Sequence, residues 1–265
     1  MAIDYIIGYD CIPKQTLTPE GILERLKGEQ RALKIIDLFR KNGDDRPPSQ
    51  MGFEFTRNTP EGVEETQVIV VQELLDEAAE LHPLEAHCLG CPANRTGERF
   101  GCMGFIEYPI SRQAESWLLD RLPVPDEPLI WLLLKQGVQE FQYDGGTVKR
   151  LRADSDAYFE ERMVLSRRLG EFSIDANQLF EMIFAVGNIQ PNHAALLLLF
   201  MGAINRDLEA DTIMHITPPP PDVNTRFPFI LTDEDGDDKT ILELKAFFRA
   251  MYMAWSLNVP LKLDV

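Results

Sequence analysis

The residues in this chain best suited to do chemistry are its four cysteines, Cys11, Cys88, Cys91 and Cys102. Three of them fall in one short segment, His87-Cys88-Leu89-Gly90-Cys91-Pro92, which continues to Gly101-Cys102-Met103-Gly104. Two residues separate Cys88 from Cys91. That spacing lets both thiolates face one ion across a tight turn, and Gly90, Gly101 and Gly104 permit the backbone angles such a turn requires. Pro92 fixes the exit of the chain, and ten residues then give enough length for Cys102 to fold back.

A structural zinc ion takes four nitrogen or sulfur ligands in a tetrahedron. Cys11 is the expected fourth ligand, giving a Cys₄ site of Cys11, Cys88, Cys91 and Cys102. His87 and His82 are the local alternatives and would give Cys₃His. His87 ranks below Cys11 because adjacent residues seldom both reach one ion, and His82 precedes Pro83. Four sulfurs bound at about 2.3 Å must lie within roughly 4 Å of one another. The alternative cofactor is a 4Fe-4S cluster, since four thiolates also hold iron–sulfur centres and a Cys-Pro pair occurs in ferredoxin-type runs. A thioredoxin-like dithiol is disfavoured, because a helical segment precedes the cysteines here and prolines and glycines follow. Unligated buried cysteines are the plain alternative.

No other motif competes with the cluster. A phosphate loop, a nucleophile elbow and an HExxH sequence are all missing. The acidic run Asp233–Asp238 fails the calcium-loop pattern at the glycine, apolar and glutamate positions. A cysteine enzyme with Cys11 or Cys102 as nucleophile and His193 or His215 as base is a further alternative. Catalytic residues are otherwise unknown, and whether the chain is an enzyme is left open.

Composition limits the partners. The formal net charge is −17, with 45% hydrophobic and 26% charged residues over 265 positions. Such a charge opposes capture of nucleic acid and docking on an anionic membrane, and it suits an unidentified protein partner of basic character. The longest apolar run, Ala194 to Ile204, has eleven residues and is interrupted by Gly202, whereas a membrane span needs roughly 20. The N-terminus lacks the basic, apolar pattern of a signal peptide. A cytoplasmic protein is expected, one whose cysteines are ligands or free thiols rather than a disulfide frame.

The elements that must position the cysteines follow from local signals. Residues 3 to 10 read as a strand, and Phe105 to Ile110 as a second strand leaving the cysteine segment; pairing of the two would lay Cys11 beside it. Thr18-Pro19-Glu20 opens a helix that ends near Asn42-Gly43. Phe53 to Val70 reads as a hairpin around Asn58–Gly62, with a helix beginning near Gly62 as its rival, and Glu73 to Leu81 reads as helical in either case. Further helices begin at Ser111, Leu129, Asp175, Pro191 and Lys239, with a short terminal strand after Pro260. Tyr143-Asp144-Gly145-Gly146 reads as a hairpin-type turn, and Pro218–Pro221 as a stiff extended linker. From Asp207 to Asp238 there are nine acidic residues against one basic, Arg226, a net of −8; this stretch is expected to be a mobile, solvated loop. The whole is an α+β fold, predominantly helical with a few short strands and a cysteine-knuckle metal site. Residues 1–122 form an expected N-terminal lobe carrying the cysteines, and 123–265 a mainly helical C-terminal lobe. The leading functional expectation is a zinc-stabilised binding or scaffold protein.

Overall fold

The computed structural model describes residues 2–58, 64–185 and 187–264. In chain order the strands are β1 (Ala2–Ile7), β2 (Gly52–Asn58), β3 (Glu64–Val70), β4 (Met103–Glu107), β5 (Ser166–Leu169), β6 (Phe172–Asp175), β7 (Asn188–Ile189) and β8 (Leu261–Asp264). The helices are α1 (Ile12–Leu17), α2 (Pro19–Lys41), α3 (Val71–Ala79), α4 (Arg112–Asp120), α5 (Pro128–Glu140), α6 (Gly146–Asp154), α7 (Ala176–Phe184), α8 (Pro191–Phe200), α9 (Ala210–Met214), α10 (Val223–Arg226) and α11 (Lys239–Ser256). The chain is thus mixed helix and sheet with helix in excess, an α+β composition. No helix among the described residues is long and apolar enough to cross a membrane.

Local chemistry explains most of the boundaries. Thr18 caps α2 by accepting the Gly21 N–H at 3.2 Å, with Pro19 at the first helical position. Ser111 caps α4 through the Ala114 N–H at 3.0 Å, and Asp238 caps α11 through the Ile241 N–H at 2.8 Å. Asp175 and Gln178 form a reciprocal capping box at the start of α7. Each such cap satisfies an amide that the helix cannot.

The contacts divide the chain into two units, one of Met1–Tyr9, Pro92–Thr96 and Gly101–Val265, the other of Asp10–Cys91 and Gly97–Phe100. The position after residue 122 lies inside the first of these. In the smaller unit the β2–β3 hairpin pairs Gly52 with Val70 and Phe53 with Ile69; the tip of its expected turn, residues 59–63, lies outside the described residues. Ala32 of α2, Met51 and Val71 are its buried centre, with Ile35, Ile36, Phe39, Phe53, Leu74 and Leu75 packed around them.

In the larger unit β4, β1, β8 and β7 form an antiparallel sheet in that order. The expected pairing of the first strand with the strand after Gly104 is present, with Tyr5 opposite Gly104. A side chain at Gly104 would begin 2.3 Å from the Tyr5 hydroxyl, so glycine leaves the room that the phenol ring occupies. Tyr5 is 1% exposed, and its ring meets that of Phe247 edge-on at 5.3 Å. Phe247 belongs to α11, which packs against β1, β4, β8, α4 and α8.

Two expectations are corrected in this unit. Tyr143–Gly146 is the entry to α6, with Gly145 at φ +73. The carboxylate of Glu181, on α7, accepts the N–H groups of Gly145 at 2.7 Å and Thr147 at 3.1 Å and so supplies the cap from a distant part of the chain. The acidic stretch is folded rather than a featureless loop: it contains α9 and α10, and Ile213, Ile216, Val223, Phe227 and Leu231 are buried. The four prolines lead directly into α10, where the Val223 N–H bonds to the Pro220 carbonyl at 3.0 Å.

Two buried cations explain the placement of acidic groups. Arg152 is ion-paired with Glu115, both nearly inaccessible, and also donates to Asn177 Oδ1 at 3.1 Å and the Glu161 carbonyl at 2.5 Å. Deleting one partner of such a pair strands a buried charge, at a cost of about 3–5 kcal/mol. Lys245 of α11 is 3% exposed; it pairs with Asp237 and donates to the Thr232 carbonyl at 2.7 Å.

Burial pushes the Asp237 carboxyl up, but the hydrogen bonds from Lys245 and the Glu234 N–H outweigh it, and the net shift is below the ordinary carboxylate range. A carboxyl whose folded pKa is depressed stabilises the fold above its unfolded pKa, and that stability is lost as pH falls through the folded pKa. Asp237→Asn is therefore expected to lower the denaturant midpoint at neutral pH and to flatten its decline on acidification, so that parent and variant converge as the pH falls through the folded pKa of Asp237. Parallel midpoint-against-pH curves would contradict this account of the acidic segment.

Candidate functional site

Three of the four cysteines are held by the smaller unit. Residues His82–Cys88 form a 3₁₀ segment that ends at Cys88. The Cys91 N–H bonds back to the Cys88 carbonyl at 3.3 Å, which closes the turn of the Cys-x-x-Cys sequence. Gly90 in that turn lies at φ +72, a left-handed conformation that favours glycine. Cys11 is the N-cap of α1, which packs on the 3₁₀ segment.

Cys88 is the best defined of the three. It is 8% exposed, and its Sγ accepts the Phe100 backbone N–H at 3.3 Å. Phe100 sits at φ +54, a conformation rare for side chains other than glycine. Its ring is buried, and burial of that size is enough to hold the strained backbone and aim its amide at the sulfur. Next in the chain, Arg99 donates to Glu85 at 2.9 Å and pairs with Glu29, tying the Gly97–Phe100 strip to the 3₁₀ segment and to α2.

Burial is the main cause that raises the Cys88 thiol; the Phe100 N–H pulls it down, and negative charge at Cys91 and Cys11 pushes it further up. Cys11 and Cys91 are partly exposed, and all four cysteines are in the reduced, thiol form. Among the described residues, no group of three or more His, Cys, Asp or Glu side chains is arranged as a ready-made metal cage. The expectation of a formed cysteine-knuckle metal site is corrected to this extent: the turn is present, and a closed ligand set is not shown.

Cys102 is a residue of the larger unit, where it directly precedes β4. It is 6% exposed, and its carbonyl accepts the Ile7 N–H at 3.0 Å. Gly101 beside it must be glycine, because a Cβ there would lie 2.1 Å from Thr96 Oγ1 and 2.2 Å from Asn94 Oδ1. His82 and His87 are exposed. His193, in the first turn of α8, has its basicity lowered by burial, and the exposed His215 turns its Nδ1 to the Asp211 carbonyl at 2.9 Å.

Sequence reasoning did not find the Phe100 amide or the Glu85–Arg99–Glu29 tie, because both depend on backbone direction rather than on residue type. Nor did it find a cleft of about 990 Å³ in the larger unit, lined by Trp117, Arg121, Glu127, Arg206 and Glu234 among others. Arg206 there is committed to the fold. It pairs with Glu127 at 3.1 Å and donates to the carbonyls of Leu199 at 2.7 Å, Phe200 at 2.5 Å and Arg121.

Compared with protein-family models, curated proteins and solved structures, the chain has no match.

Thiol reactivity follows thiolate access. With metal removed by chelator and disulfides prevented by a phosphine, N-ethylmaleimide is expected to label Cys11 and Cys91 before Cys88 and Cys102, as read by peptide mass spectrometry. Equal labelling rates for all four would contradict the burial described above.

Proposed function

We propose that this chain is a metal-binding protein whose site is built on Cys88, Cys91 and Cys11, with zinc as the ion, and that it serves as a metal-stabilised binding or scaffold protein. The observation that carries this reading is the Cys88 sulfur: it is buried, receives a backbone amide, and belongs to the same unit as the thiols of Cys11 and Cys91. Crowded thiolates repel one another, and a divalent cation turns that repulsion into ligation. On the sequence argument Cys102 is a ligand together with Cys88 and Cys91, Cys11 is the fourth, and His87 and His82 are the alternatives to Cys11.

An iron–sulfur centre on the same thiols is the second reading. The Phe100 amide on Cys88 favours it as well, because hydrogen bonds to ligand sulfurs are one of the means by which proteins set cluster potentials. A basic protein is the partner that the charge of −17 suits best.

Purified native protein is expected to be colourless and to carry about one zinc per chain, and chelation is expected to lower its melting temperature, since metal binding is linked to folding. Cys91→Ser should reduce occupancy, Cys11→Ser should reduce it about as much as Cys102→Ser, and His87→Ala should do little. Brown protein containing iron would replace zinc with the second reading. Metal-free protein with an unchanged melting temperature after chelation would overturn both.

A further inference from the structure

A second cavity lies wholly within the larger unit and is independent of the cysteines. It has a volume of about 430 Å³ and is walled by the rings of Tyr108, Tyr158, Phe159, Phe180 and Phe184, with Thr147 and Val148 of α6 closing one side. That volume is in the range of small-molecule sites, which are typically apolar pockets with a few placed polar groups. The walls hold one another. Phe159 meets Phe180 edge-on at 5.4 Å, Phe180 stacks with Phe184 at 5.6 Å, and the chain at Phe159 bridges to Ile110 beside Tyr108.

The lining restricts the charge of an occupant. Among the described residues no Asp, Glu, Lys, Arg or His lines the cavity. The guanidinium of Arg152 lies behind it, 3.7 Å from the centre of the Phe159 ring, and is already committed to Glu115, Asn177 and the Glu161 carbonyl. A charged ligand would thus lose its hydration and gain no counter-ion.

The polar handles are two phenols. Tyr108 and Tyr158 meet edge-on at 5.0 Å, and neither hydroxyl has a hydrogen-bond partner among the described residues. Burial first, and Tyr158 second, push the Tyr108 phenol up to about 12, so at neutral pH it is an uncharged group able to donate and to accept. Both tyrosines are half-buried, and a bound molecule can partner either hydroxyl in place of water.

We propose that this cavity binds one small, uncharged, largely aromatic or aliphatic molecule, gripped by the ring walls and oriented by a hydrogen bond to the Tyr108 or Tyr158 hydroxyl. The test uses two dyes with the same ring system, the uncharged N-phenyl-1-naphthylamine and its anionic relative 1-anilinonaphthalene-8-sulfonate. The uncharged dye should bind saturably at one site per chain, at least about tenfold more tightly than the anion, which a desolvated sulfonate without a partner would cause. The Tyr108→Phe/Tyr158→Phe variant, which keeps the rings, should weaken binding roughly two- to tenfold through the lost hydrogen bond. Thr147→Phe/Ala185→Phe should abolish it by filling the mouth from exposed positions; should that double variant not fold, either single substitution serves. The proposal is overturned by non-saturable binding of the uncharged dye, by equal affinity for the anion, or by unchanged binding in a folded mouth-filling variant.

Discussion

The larger unit depends on one constraint, the burial of Lys245 in the middle of α11. Eleven of the eighteen residues of that helix are buried, including Phe247, Phe248, Met251 and Trp255, so the sheet and its neighbouring helices are laid against it. An ammonium group in that setting needs a fixed counter-ion and a second acceptor. Asp237 and the Thr232 carbonyl supply them, and Lys245 also lies 5.7 Å from the centre of the Trp117 ring. The acidic segment is therefore drawn onto the helix that follows it. Asp238 caps that helix and also bonds to Ser111, so the same short stretch fixes the start of α4. A charge density that favours a solvated loop is outweighed locally by one buried cation and by the apolar anchors Phe227 and Leu231.

A related constraint acts on the smaller unit, with a thiol in place of the ammonium. Cys88 is buried and bonded to a backbone amide whose direction is set by an unusual backbone angle at Phe100. Such an amide is of little use to a neutral thiol, which accepts weakly, and of more use to a thiolate. The arrangement suits a sulfur that carries negative charge in the functional state, as a metal ligand does. The Glu85–Arg99–Glu29 tie holds the strip that carries this amide, so the direction of the amide rests on residues away from the sulfur.

Much of the architecture was legible in the sequence because its signals are local. Thr18-Pro19, Ser111, Asp175, Pro191 and Asp238 each mark a helix start by satisfying or removing an amide, and each helix is where its cap places it. The strand signals at residues 3 to 10 and 105 to 110 were sufficient to anticipate the pairing of β1 with β4. What was missed depends on partners far along the chain. Gly145-Gly146 carries a turn signal, and only the distant carboxylate of Glu181 makes it a helix start. The β5–β6 hairpin turns through Gly170-Glu171, with Gly170 at φ +65. That two-residue signal was present in the sequence but hidden by the charges of Arg167 and Arg168. For the site, residue type and spacing located the Cys88–Cys91 turn, whereas neither the Phe100 amide nor the aromatic cavity has a signature in the sequence.

The central claim is that these thiols ligate a metal, and X-ray absorption at the zinc and iron edges of native, untagged protein tests it most directly. The account predicts a zinc edge whose first shell is dominated by sulfur at about 2.3 Å, as in structural thiolate sites. A first shell of oxygen and nitrogen alone, or native protein with neither edge, would contradict it.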